Sequence, residues 1–408
     1  MREKSNMMRY LIYFVLMVST LLSCSEEEES RTHTVSRRTV IVYIVGENNL
    51  TYNAIDNLRD MAAGSVSLAD DVNLVAFVDM AESTPPYVVR IMNGEKSKDE
   101  AYQRTEDFYS TDPEEMYATL KWIVERYPAN EYGLILWGHS TSWLIRNDTI
   151  AVTDGSVLKK RAYGYDTGHN QAGGNGKWIN IPTLAKVLAQ LPRMKFIMGD
   201  CCCFQSVETA YELREVCDYL IGSPAEIPSA GAPYRSLVPL LFSEADNFYV
   251  PIADAVNEYM VNGLYTPVSV IRTSALEQLG RATASVWDEL YADGDPITDN
   301  RIYYYGNDLC SESRVLYDMN DIMMNHLSPD SYAEWKQSFD QAVVYRRHAT
   351  QWNTAMIGGR YLVDFDFEVD EENYGGMSMF LPLNRYSKIG LNYNSTFRQM
   401  SWSSVMPD

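Results

Sequence analysis

Short runs of consecutive apolar residues alternate along this chain with segments of helical period. Val40–Val45 is continuous and mostly β-branched, the pattern of a strand buried on both faces. Gly46-Glu47-Asn48-Asn49 breaks it, and Ile55, Leu58 and Met61 then recur at helical spacing. Val72–Val78 predicts a second buried strand ending at Asp79. Thr111-Asp112-Pro113-Glu114-Glu115 predicts a helix start: a capping residue, an early proline, and acids at the positive end of the dipole. Met116, Leu120, Ile123 and Val124 give that helix an apolar side. Two further strands follow, Tyr132–Gly138 and Phe196–Gly199. The polar Gly-, Asn- and Asp-rich stretch 147–177 between them reads as surface loop. Trp178–Leu191 and Ser206–Val216 read as helices and Tyr219–Ser223 as a strand.

Beyond about Phe248 the pattern loosens. Helices are expected over Ile252–Met260, Leu276–Tyr291 and Tyr332–Val344, with strands at Val268–Ile271 and, late in the chain, Gly376–Pro382. Tyr393, Phe397 and Trp402 are positioned to pack the tail back onto the body. Strands alternating with helices imply an α/β fold with a mainly parallel sheet covered on both faces, followed by a C-terminal α+β extension. The expected organisation is a leader over 1–23, an acidic tether over 24–37, a core over 38–246 and an extension over 247–408 packed on it.

The amino end sets the compartment. Arg2, Lys4 and Arg9 precede a short apolar run from Leu11, which is too short for a comfortable membrane span. Leu21-Leu22-Ser23-Cys24 is a lipobox, so cleavage before Cys24 and acylation of that cysteine are expected. Ser25-Glu26-Glu27-Glu28-Glu29-Ser30 then reads as a solvated tether. It also resembles the acidic export signal of surface lipoproteins, which places the protein at a bacterial outer membrane or cell surface. The formal net charge of −21 argues against nucleic acid, whose phosphates need basic surface, and would favour cationic partners such as basic polypeptide segments. The adjacent trio Cys201-Cys202-Cys203, with Cys217 and Cys310, makes no disulfide framework.

Two strand tips carry reactive groups: Trp137-Gly138-His139 and Asp200-Cys201-Cys202-Cys203. Ligands of open α/β sheets bind beyond the carboxyl ends of the strands. A histidine and a thiol brought there would assemble a cysteine-nucleophile site. Cys202 lies at a strand-to-helix turn, where backbone N–H groups can meet an oxyanion and the helix amino end favours thiolate. Two other readings of the same residues exist. The three thiols could be inert core residues. Gly138-His139-Ser140-Thr141-Ser142 nearly fits a nucleophile elbow, with Ser140 attacking and His326 or His348 as base. Zinc-type spacing and EF-hand spacing are both missing, so neither metal nor cofactor is expected.

These blocks resemble the clostripain-like cysteine peptidases. Val40–Leu50 is similar to that family's opening strand and its turn. Leu134–His139 with Trp143 is similar to its histidine strand, and Arg161–Asp166 to its R-x-x-G-x-D segment. Asp200-Cys201-Cys202 followed by Ser206–Leu213 resembles its cysteine block, Ser223–Tyr234 its following loop, and Gly376–Pro382 its late strand. The resemblance implies a caspase-like fold and a lipid-anchored endopeptidase cleaving after Arg or Lys. It implies Cys202 as nucleophile, His139 as general acid/base, the N–H groups of Ser140 and Cys202 as oxyanion donors, and Asp200 in the specificity pocket. Polypeptides with basic residues would be the substrates, and the lipid would hold the membrane. Self-cleavage, known in some members, would fall after Lys159 or Lys160, within Leu158–Arg161. Ser140 and Ser142 stand where the family has glycine, and Ser229–Ala232 offers no second pocket acid. A non-catalytic peptide-binding lipoprotein on the same scaffold is the other reading of this pattern.

Overall fold

The computed structural model describes residues 35–407 except 82–84, 146–161, 169–175, 293, 295, 297–303, 307–313, 358–359 and 363–367, and also omits the side chains of 355–357 and 360–362. The leader, Cys24, the acidic run and Leu158–Arg161 lie outside the described residues, as does Cys310.

In chain order the sheet-forming and covering elements are β1 Ser36–Gly46, α1 Thr51–Gly64, β2 Val72–Met80, β3 Tyr87–Met92, β4 Glu95–Lys98, α2 Pro113–Arg126 and β5 Ala129–Trp137. A short pair, β6 Tyr163–Asp166 and β7 Lys177–Ile179, leads to α3 Ile181–Leu188, β8 Met194–Asp200, α4 Val207–Leu213 and β9 Cys217–Gly222. There follow α5 Tyr234–Leu240, α6 Tyr249–Glu258, β10 Val268–Arg272, α7 Leu276–Ser285, β11 Tyr317–Asp318, α8 Pro329–Ala342 and β12 Val343–Arg347. Nine strands form one sheet in the order β12-β10-β9-β8-β5-β1-β2-β3-β4. β9, β8, β5, β1 and β2 run parallel, and the outer strands on both sides are antiparallel.

Alternation along β1 divides the interior in two. Ile41, Tyr43 and Val45 join Ile123, Leu184 and Ala210 of α2, α3 and α4 in one core. Val40, Val42 and Ile44 join Leu58, Leu237 and Ile252 of α1, α5 and α6 in the other. A strand whose two faces both meet helices must be apolar at every position, hence the uninterrupted run. Asp112 caps α2 as expected, its Oδ1 accepting from Glu114 N at 3.0 Å and Glu115 N at 3.4 Å.

Several elements differ from expectation. The stretch expected to be surface loop contains β6, whose Tyr163 and Asp166 are fully buried. Trp178 lies on β7, not on a helix; α3 starts at Ile181 with a proline in its first turn. The helix expected over Leu276–Tyr291 breaks at Val286. Val343 ends α8 and opens β12. The late strand shrinks to Ser378–Met379, which pairs with β11 outside the main sheet. The strand starting at Ser36 takes in the last two residues of the expected tether. The tail does pack back: Phe397 lies 5.9 Å from the ring of Trp143, and Trp402 lies 5.3 Å from that of Tyr211.

Candidate active site

β5 and β8 are neighbours in parallel register, with Trp137 opposite Asp200. Each chain runs two residues further, one to His139 and the other to Cys202. Paired strands lie about 4.8 Å apart, so the imidazole and the middle thiol leave the sheet side by side at its carboxyl edge. The chain turns back across the sheet between β1 and β5, where such folds open a crevice. Both residues line one cavity of about 240 Å³, together with Leu50, Trp137, Trp178, Asp200, Glu226 and Asn353 among others.

The histidine turn is built tightly. Gly138 has φ +140°, and a Cβ there would sit 2.9 Å from Val45 O; glycine alone meets both demands at no cost. β6 then clamps the turn: Gly164 N donates to His139 O at 2.8 Å, and Thr141 N to Ala162 O at 3.0 Å. Tyr163 Oη donates to Tyr43 O and Trp137 O, both at 3.2 Å, tying the ends of β1 and β5 together. The glycine replacements differ in consequence. Ser140 keeps negative φ, whereas Ser142 sits at φ +66°, fully buried, a strain of roughly 1–2 kcal/mol for an L-residue. Its Oγ also has no hydrogen-bond partner.

His139 Nε2 lies 2.9 Å from Asn49 Oδ1. Its ring is 6.4 Å from that of Trp178, which stacks on Tyr165 at 5.0 Å. Asn49 ends the turn that starts at Gly46, and that turn is tied down by Thr167, whose N and Oγ1 both donate to Glu47 O. Beneath it the carboxylates of Glu47, Asp79 and Asp166 converge, with oxygens within 4.8 Å of one another and all three residues buried. Asp166 accepts from Ser110 N, Ser110 Oγ and Gly168 N. Burial raises the pKa of Asp79 and of Asp166, and the two are hydrogen-bonded. These residues are the oxygen donors among the described residues that could hold a hard cation.

The three thiols are not equivalent. Cys201 and Cys203 are buried, and Cys202 is half-buried on the cavity wall. Burial pushes the Cys202 thiol up to about 12, helped by the charge of Glu226 and opposed by Ile227 N, which donates to its sulfur at 3.5 Å. That direction runs against the thiolate expected from a helix amino end. α4 starts five residues on, and Ser206 Oγ already accepts from Thr209 N there. Cys203 has φ +53°, so the cysteine turn, like the histidine turn, holds one strained residue.

Asp200 is buried at the base. Its Oδ2 accepts from Tyr234 Oη at 2.7 Å and Ala232 N at 3.2 Å, and burial raises it to about 6 against those two bonds. The serine-elbow reading fails on geometry. Ser140 is buried, His326 Nδ1 is bonded to Ile322 O, His348 stands against Tyr374, and neither distant histidine lines the cavity. Asn49, Trp178, Glu226 and Asn353 are cavity or histidine contacts that sequence reading misses. Of these, Asn49 alone carries a signal, in the turn beyond β1.

The clostripain family model matches residues 42–406. A secreted C11 cysteine protease from Bacteroides thetaiotaomicron, solved with an irreversible peptide inhibitor, is 26% identical. That match covers 91% of this chain and 99% of the relative at a TM-score of 0.73. An inactive zymogen C11 protease from Parabacteroides distasonis superposes with a TM-score of 0.73 at 23% identity, over 92% of this chain and 99% of that one. "Iotapain", another secreted protease from Bacteroides thetaiotaomicron, gives 0.67 at 20% identity, over 92% and 100%. No curated protein sequence matches the chain. With the family match spanning residues 42–406, and a caspase-like sheet beneath a histidine and a thiol that line one cavity, the chain belongs to the clostripain family and is a cysteine-type peptidase.

Proposed function

We propose that this protein is a lipid-anchored endopeptidase that cleaves polypeptides after Arg or Lys, with Cys202 as nucleophile and His139 as general acid/base. The observation that carries the reading is the register of β5 against β8, which sets the two groups on one cavity wall. Asp200 at the base would meet a cationic side chain, for which a buried carboxylate is the natural partner. The relative at 26% identity takes a peptide inhibitor, and it is a secreted protein.

The steps follow from the geometry. With Nε2 held by Asn49, His139 would take the Cys202 proton on Nδ1 as sulfur attacks the scissile carbonyl. The oxyanion would lie against the N–H groups of Ser140 and Cys202; their neighbours Thr141 N and Cys203 N already donate to Ala162 O and Ala225 O. His139 then returns the proton to the leaving amine. Water, deprotonated by the same imidazole, releases the acyl group and restores the thiol. Cys24 would carry the lipid and the acidic run would present the enzyme at the outer membrane or cell surface, while Lys159 and Lys160 are the self-cleavage sites.

The test uses the full chain on amide substrates ending in Arg, Lys or a neutral residue, with intact-mass analysis of the same samples. Expected are turnover of basic substrates, acylation of Cys24, and fragments starting at Lys160 or Arg161. No turnover on any peptide would favour a binder, equal turnover on all would remove basic specificity, and an unmodified Cys24 would remove the anchor.

Asn49 is a positioning residue in this scheme. Asn49→Ala is expected to lower kcat about tenfold with KM little changed, since only ring orientation is lost. A change confined to KM would reassign the turn to substrate binding.

A further inference from the structure

Asp200 is not the only carboxylate in the cavity. Glu226 also lines it, on the loop that follows β9. That loop is pinned at four points around the site. Ala225 O accepts from Cys203 N at 2.9 Å, Ile227 N donates to Cys202 Sγ at 3.5 Å, Ala230 O accepts from Asn57 Nδ2 at 2.9 Å, and Ala232 N donates to Asp200 Oδ2 at 3.2 Å. Glu226 therefore sits between the two residues that touch the cysteine turn, with little freedom to move away. Asn353 Nδ2, from a segment far along the chain, donates to its Oε2 at 3.2 Å. Burial raises Glu226 to about 7 against the bond from Asn353; its carboxylate form has about four acceptor sites, and one amide proton leaves it with capacity for a ligand.

We propose that Glu226 is a second specificity-determining carboxylate, which meets the same cationic substrate side chain as Asp200. The inference rests on the basic-specificity reading above. A cavity of about 240 Å³ is smaller than the sites that hold drug-sized ligands, and a long side chain entering it would find Asp200 and Glu226 in the same lining. A guanidinium carries five N–H donors in a planar fork and can bond two carboxylates at once. Ser229–Ala232, the stretch that offers no second acid, is not where the second charge lies; it lies three residues earlier. A carboxylate this near the nucleophile also has a cost, since its charge helps hold the Cys202 proton in place. A bound cation would offset that cost, so the right substrate would itself ease deprotonation of the thiol.

The experiment compares kcat/KM for Arg-, Lys- and neutral-ended amide substrates in wild type, Glu226→Gln and Glu226→Ala. Gln keeps an acceptor for Asn353 and removes the charge. The basic-to-neutral ratio within one sample does not depend on how much of that sample is folded, and the Ala variant keeps the test open if Gln is poorly tolerated. The ratio is expected to fall about tenfold, the size of one lost charge-assisted hydrogen bond. An unchanged ratio in variants of a wild type that prefers basic substrates would overturn the role of Glu226 alone. A wild type with no basic preference would overturn this inference together with the specificity it rests on.

Discussion

Cys202→Ala is expected to lose at least about 10⁴-fold in kcat/KM, the scale on which removal of a catalytic nucleophile acts, while Cys201→Ala keeps most of its activity. The neighbours cannot substitute. Cys201 and Cys203 are buried, and burial holds both thiols well above the ordinary range. Labelling with a thiol-reactive peptide probe should therefore map to Cys202 alone. The same thiol should be slow towards a neutral alkylating agent. At about 12, its thiolate fraction at pH 8 is on the order of 10⁻⁴. The alkylation rate should then climb about tenfold per pH unit from 6 to 10 without levelling. A plateau below pH 8 would show a preformed thiolate–imidazolium pair and replace general-base attack with direct attack. Retained turnover by Cys202→Ala would remove the residue from the mechanism altogether.

The parts of this site that can be read from sequence are those the sheet itself creates. A strand buried on both faces is a run of apolar residues, and where the run stops the carboxyl edge begins, so His139, Asp200 and Cys202 announce themselves by following such runs. β6 escapes for the opposite reason. It is four residues long, contains Gly164 at φ +66°, and lies in a stretch rich in Gly, Asn and Asp. Its burial comes from the Tyr163 bonds to β1 and β5, a tertiary effect with no periodicity. Trp178 reads as helical because of the apolar residues after it, although Pro182, in the first turn of α3, marks the later start. Glu226 and Asn353 are polar residues in connecting segments 127 positions apart. Nothing along the chain relates them before the fold does. Ser140 and Ser142 both stand where the resemblance has glycine, and only the fold tells them apart: the strain falls on the second.

Asp200→Asn is expected to make the protein more stable and less selective. The carboxyl is buried and raised from its ordinary 3.8 to about 6, so the folded state holds that proton more tightly than the unfolded chain does. The stability this supplies is complete below the unfolded value and is lost as pH rises through about 6. A rise of that size makes the wild type forfeit about 3 kcal/mol at pH 8. An amide cannot ionise and can still accept from Tyr234 Oη and Ala232 N, so it escapes that loss. Urea unfolding should show the variant about 1 kcal/mol more stable than wild type at pH 4.5 and about 3 kcal/mol more stable at pH 8. The same change should cut the preference for Arg- and Lys-ended substrates on the order of 10²-fold, as expected when one partner of a buried charge pair is removed. A gain in stability without loss of preference would make Asp200 a structural acid. Loss of preference without the gain would mean that the two donors keep it ionised at no cost. Both changes together would mean that the fold tolerates an unfavourable charge whose compensation comes from a cation on the substrate.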